Sequence, residues 1–355
     1  MTTSPTAPGR TIWVWAGAYF ACYVPYGALT KGMSARGVAG MVLLPSTLLA
    51  GVVTTAVFLA LTGWWRQATR RRVGPWEVPV PTATTMMSGA CSTAILVSTT
   101  LAYTIEGASI LAMMLAMRGG VLALGPIVDA LSGRKIRTAS WVALGLSFVA
   151  LTVTLSGGSL RFTALALIDL TIYLGAYFLR LRLMSRRAKS GDPAVNTRFF
   201  VEEQLVAAPL ALALLALGAL LPGTLGEQIC TGWSTFLFSP MGLLGLLVGV
   251  LSQGTGIFGG LVLLDARENS FCIPVNRASS VLAGVSAATL LWLLAGGAPP
   301  TVPELVGAAM MIGALVVLSL PSPGPVGSGV VPGPVEAAVG VVVGEERPRR
   351  GRAGP

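Results

Sequence analysis

Residues 238–264 read FSPMGLLGLLVGVLSQGTGIFGGLVLL, without one charged side chain. A helix needs about 20 mostly apolar residues to cross a bilayer. This run supplies them, its polar side chains being only Ser239, Ser252, Gln253 and Thr255. Nine more runs of the same kind stand at about 12–30, 39–62, 83–104, 107–129, 139–157, 162–181, 199–221, 271–296 and 302–320. Two pairs, meeting near Glu106 and near Leu160, leave only a few residues between them and predict helical hairpins. The whole chain agrees: 54% of its 355 residues are hydrophobic and 11% charged, where soluble domains carry about 25% charged. Mean hydropathy is +0.76. The reading is an all-α integral membrane protein of ten transmembrane helices.

The charges sort by side. Lys and Arg number 24 against 14 Asp and Glu, a formal charge of +10. With the N-terminus inside, 19 of the basic residues fall in inner segments. They include Arg66, Arg70–Arg72, Arg134, Arg180, Arg182, Lys189, Arg267 and four arginines of the tail. Only Lys31, Arg36 and Arg161 fall outside. That asymmetry is the positive-inside pattern. It predicts a multi-pass protein of the cell (inner) membrane with both termini cytoplasmic, and it accounts for the basic balance without nucleic acid. The first run is long enough to span and only Arg10 precedes it, so no cleaved signal peptide is expected. Residues 321–355, rich in Pro and Gly, predict a disordered tail.

The composition also removes chemistry. There is no histidine, so histidine-based acid–base catalysis and metal ligation are absent. The four cysteines are scattered, without a CxxC pair. No phosphate-cradling Walker A motif appears. No catalytic residue, metal or cofactor is expected. The expected partners are a small-molecule substrate and the lipid bilayer, with monomer and homodimer both open.

Ten spans divide into halves of five, 12–157 and 158–320, after a cytoplasmic segment 1–11. An odd number per half inverts the second half in the membrane, an arrangement common in transporters. Three blocks correspond. Leu101-Ala102-Tyr103-Thr104-Ile105-Glu106 aligns with Leu263-Leu264-Asp265-Ala266-Arg267-Glu268. Met117-Arg118-Gly119-Gly120-Val121-Leu122 aligns with Asn276-Arg277-Ala278-Ser279-Ser280-Val281. Leu144-Gly145 aligns with Val306-Gly307.

Arg118 and Arg277 thus fall at matching places inside spans, where a charge costs at least ~2.5–3.5 kcal/mol on insertion scales. Such residues face a bundle interior or a watery cavity. Alternatively they snorkel, or pair with Asp129 or Asp169. Two converging guanidiniums suit a carboxylate or phosphate. Candidate substrate contacts beside them are Asn276, Gln253, Thr99, Ser98 and Tyr23. Tyr19, Tyr23 and Tyr26 share one helix face, which suits either substrate contact or core packing. Gly245, Gly249, Gly256 and Gly260 read as a helix-packing seam. Glu202, Glu203 and Asp169 are the candidates for proton coupling. For the two glutamates, at the start of the seventh run, complementing a helix N-terminus is the alternative.

Three stretches resemble the drug/metabolite transporter superfamily, including its EamA-like and nucleotide-sugar branches. They are Leu101-Ala102-Tyr103-Thr104 with the following span ending Leu131-Ser132-Gly133-Arg134-Lys135-Ile136; Phe199-Phe200-Val201-Glu202-Glu203; and Ile273-Pro274-Val275-Asn276-Arg277-Ala278 with the later Leu305-Val306-Gly307-Ala308. The resemblance covers roughly 12–320. It implies ten helices in two inverted five-helix repeats around a cavity lined by the third, fourth, eighth and ninth. Asn276-Arg277 resembles the Asn-Lys pair of nucleotide-sugar members, with Ile273-Pro274-Val275 where that motif has Gly-Ala-Leu. The function expected is secondary transport of a small organic metabolite, suited to an anion, by alternating access. A membrane-embedded enzyme acting on lipid or isoprenoid substrates and a non-transporting scaffold are the alternatives.

Overall fold

The structure is a computed structural model that describes residues 11–73, 75–101, 110–154, 163–189, 192–296 and 299–320. Arg10, residues 102–106 of the first repeat block, the turn near Leu160, Arg161 and the 321–355 tail lie outside them.

The chain is mostly helical. In order come α1 (Thr11–Ala35), α2 (Gly40–Thr62), a short hairpin of β1 (Arg70–Val73) and β2 (Trp76–Pro79), α3 (Ala83–Leu101), α4 (Ile110–Leu131), α5 (Thr138–Thr154), α6 (Ala164–Arg187), α7 (Pro193–Gly218), α8 (Thr224–Thr231), α9 (Pro240–Leu263), α10 (Asn269–Ala295) and α11 (Val302–Ser319). Six of these, α2, α6, α7, α9, α10 and α11, are long and apolar enough to cross a membrane. That is the make-up of a multi-pass membrane protein.

The helix surfaces follow from the solvent. On α6 the exposed residues Leu165, Ile168 and Ile172 form one apolar face, while Asp169, Tyr173 and Arg180 are buried on the other. A helix in water shows the reverse arrangement. On α9, Leu243, Leu247 and Val250 face outward. Gly245 and Gly249 face inward against α2. A Cβ on Gly249 would stand 2.5 Å from the Thr47 carbonyl oxygen, and one on Gly245 would meet the Ser46 hydroxyl. These two glycines are the seam expected of them. Gly256 and Gly260 have more room, with nothing closer than 3.6 Å to an added Cβ.

Packing partners are specific. Helix α1 lies against α9 and α10, α2 against α7 and α9, and α3 against α6 and α7. Helix α4 lies against α6 and α10, and α5 against α10 and α11.

Several boundaries differ from the sequence reading. Helix α7 begins at Pro193 rather than near 199, because Asp192 caps it, accepting from the Ala194 amide at 2.8 Å. Proline at the first helical position is favoured there. Helix α6 runs on to Arg187, so Arg180 and Arg182 lie within a helix and not in a loop. The stretch between α7 and α9, read as a loop, holds α8 and a π-turn at Gly232–Phe236.

The ends of α4, α6 and α9 are fastened together with the start of α10. Arg134 donates to the carbonyls of Ala266 (3.1 Å), Arg267 (3.2 Å) and Lys189 (3.2 Å). The Lys189 ammonium, itself buried, donates to the Leu263 carbonyl and to Asn269 Oδ1, both at 3.1 Å. Asp129 is fully buried and accepts four hydrogen bonds: the Asn269 amide (2.9 Å) and side chain (2.7 Å), and the Ser270 amide and hydroxyl (both 2.7 Å). Glu268, at the N-cap of α10, makes no side-chain cap. Asp129 of α4 supplies the acceptor that the first amides of α10 need.

Candidate functional site

Asp169, Tyr173, Tyr177 and Arg180 recur at helical spacing along α6 and so share one face. That face, with α3, α7, α9, α10 and the middle of α1, borders a cavity of about 280 Å³. Arg180, Arg277, Tyr19, Tyr177, Asn276, Gln204 and Gln253 are among the residues lining it.

Two guanidiniums stand in its wall. Arg277 donates through Nη2 to the Tyr177 hydroxyl at 3.0 Å and lies 5.4 Å from the centre of that ring. Its Nε is buried and has no hydrogen-bond partner among the described residues. Arg180 donates through Nε to Glu203 Oε1 at 2.5 Å. Its two Nη groups have no acceptor among the described residues. Glu203 is wholly buried and also accepts from the Ser92 hydroxyl through Oε1, while its Oε2 has no partner there. Tyr173 packs on Tyr177 with ring centres 4.9 Å apart. A buried charge whose hydrogen-bonding capacity is only part used is an expensive arrangement. It suits a site meant to receive an acceptor from outside the protein.

The other predicted residues fall as follows. Gln253 lines the cavity and donates to Gln204 at 3.2 Å. Asn276 lines it and reaches the Gly259 carbonyl at 3.4 Å. Arg118 is half-buried and is not among the lining residues. It forms no hydrogen bond or ion pair with Asp129 or Asp169. Thr99 bonds back to the Ile95 carbonyl at 2.6 Å. Ser98 faces Asp169, whose Oδ2 is otherwise unpartnered among the described residues. Tyr23 packs between Tyr19, tilted at 5.5 Å, and Tyr26, edge-on at 5.6 Å, and is not among the residues lining the cavity.

Glu202 and Glu203 lie well inside α7, so neither complements that helix's N-terminus. Glu202 instead binds the segment leading into α3. It accepts from the Thr69 amide (3.0 Å) and hydroxyl (2.7 Å), the Thr82 amide (3.0 Å) and the Thr85 hydroxyl (2.7 Å). Glu203, one residue on, points toward Arg180.

Arg180 is the residue that sequence reasoning misplaced. Counting charges by nearness to span ends put it among the inner-loop markers. Its spacing of three from Tyr177 and seven from Tyr173 carried the signal that it shares their face. A second cleft, of about 340 Å³, lies between the 66–69 turn and the start of α7. Its arginines, Arg66 and Arg198, are both exposed, so it lacks the buried charge of the central cavity. No cluster of metal-ligating side chains occurs among the described residues.

No family profile matches this chain, and no curated protein matches it. Chains of solved structures do. One, described only as the crystal structure of a protein, superposes with a TM-score of 0.60 at 14% identity, over 87% of this chain and 96% of its own. At that identity the likeness speaks to the fold alone.

Proposed function

We propose that the protein is a secondary transporter for a small organic anion, working by alternating access around the arginine-lined cavity. The observation that carries this reading is a pair of cavity-wall guanidiniums, Arg180 and Arg277, with N–H groups that have no acceptor among the described residues. Guanidinium binds carboxylate and phosphate in bidentate fashion. Arg118 adds positive potential from the next helix pair. Tyr177, between the two cavity arginines, limits how an anion can lie.

The proposed architecture is ten spanning helices in two inverted halves, α1–α5 and α6, α7, α9, α10 and α11. The packing partners support it. Exchanging the halves turns α1–α9 into α6–α3, α2–α9 into α7–α3, and α1–α10 into α6–α4. The pairs α2–α7, α4–α10 and α5–α11 map onto themselves. Inverted repeats of this kind place substrate sites at their interface near the midplane, which is where the cavity lies in this arrangement. The wall agrees with the resemblance to drug/metabolite transporters in α3, α9 and α10 and departs from it in α4, which supplies no lining residue among the described residues, while α1, α2, α6 and α7 do. The basic loop ends would face the cytoplasm.

The test is binding by the purified protein, followed by uptake into proteoliposomes, with succinate, citrate, phosphoenolpyruvate, phosphate and sulfate as probes. At least one should raise the unfolding temperature in wild type and fail to do so in Arg277→Gln. If Arg118→Ala and Arg277→Ala both fold and keep full affinity for every anion that binds wild type, the anion site is wrong.

A further inference from the structure

We infer that Glu203 is the proton-coupling carboxylate of this transporter, taking up a proton when a divalent anion docks between Arg180 and Arg277. The inference rests on the anion-transport reading above. Its first support is that Arg180 touches both compartments. Its Nε holds Glu203, and Arg180 is among the residues that line the cavity. Glu203 itself is buried, at 0% exposure, and two lining residues, Arg180 and Ser92, connect it to the cavity.

The second support is the uneven use of the two carboxylate oxygens. Oε1 accepts from Arg180 and from Ser92, whereas Oε2 is buried without a partner among the described residues. An ionised carboxylate in such a place depends on its counter-ion. A divalent anion docking between Arg180 and Arg277 adds two negative charges to a site that holds two guanidiniums and one carboxylate. One negative charge is then in excess, and a proton from water binds Oε2. One O–H bond forms, and the charges of the site balance. Release of anion and proton on the far side restores the ion pair. The cycle moves one proton with each divalent anion.

The surroundings single out this carboxylate. Helix α6 turns Arg180 toward it, with Tyr177 one turn away on the same helix, and α3 presents Cys91 and Ser92. Helix α2 has no titratable residue. Near the two ends of α7 lie Arg66 of the 64–67 turn and Glu227 and Cys230 of α8. Glu202 is engaged by four donors, and Asp169 faces Ser98 away from the cavity lining.

The experiment uses the full chain in detergent, lightly buffered, with a pH-indicating dye. The probes are sulfate and methanesulfonate, which stay ionised throughout the neutral range. Binding is followed by calorimetry. Wild type should take up about one proton per sulfate and none per methanesulfonate, and its affinity for sulfate should tighten by up to about tenfold for each unit fall in pH. Glu203→Gln should bind without proton uptake and with flat pH dependence, and in proteoliposomes it should exchange anions without proton-driven accumulation. Arg180→Lys should keep the uptake. Sulfate binding by wild type with no proton uptake and no pH dependence overturns this inference and leaves the anion site standing, as does unchanged uptake in Glu203→Gln. If Glu203→Gln does not fold, the wild-type pH series decides alone. If wild type binds neither probe, the anion site falls and this inference with it.

Discussion

The loop end and the central cavity both bury charge, and they treat it differently. At the loop end Asp129 accepts four hydrogen bonds and Lys189 reaches two oxygen acceptors. In the cavity Arg277 keeps an unpartnered Nε, and Arg180 keeps open Nη groups. Removing one partner of a satisfied buried network strands the rest, which is costly. Removing a charge that was never satisfied relieves a cost. Burial alone therefore does not separate a fastening from a binding site; the unused hydrogen-bonding capacity does.

That comparison is open to breakage. Asp129→Ala should be the most damaging change, destabilising by about 3–5 kcal/mol, because it strands the first amides of α10. A thermal unfolding midpoint within error of wild type would erase the distinction. Glu202→Gln keeps one acceptor oxygen and should cost about 1–3 kcal/mol, read in the same assay with anion binding unaltered for any protein that folds. Arg277→Gln removes a buried charge that is only part satisfied and should not lower the thermal unfolding midpoint, while removing anion binding. A large loss of stability there would make Arg277 another fastening.

The sequence carried the membrane character through its apolar runs, which need no tertiary information to be read. It carried Asn276–Arg277 as well, since a charge inside an apolar run is visible locally. It misread Arg180 for a physical reason. The positive-inside rule weighs charge by distance from a span end, and α6 extends a further turn and a half to Arg187. Nothing local to Glu203 tells it from Glu202. One faces Arg180 on α6 and the other the threonines around α3, and those partners lie in other helices. The hairpin at 70–79 and helix α8 were likewise invisible, being short pieces with no apolar periodicity of their own. The cap on α7 was legible in Asp192-Pro193 and went unread.

The grip of Asp129 on Asn269 and Ser270 has a mechanical consequence. Arg277 follows Ser270 by seven residues on the same helix, a rise of ~10 Å at ~1.5 Å per residue. The clamp is thus a datum from which the height of Arg277 is measured, and it belongs to α4, the helix that carries Arg118. Any tilt of α4 is transmitted to α10 at its root. Arg134, Lys189 and Ser185 tie the end of α6 into the same clamp, so Arg180 shares that root with Arg118 and Arg277.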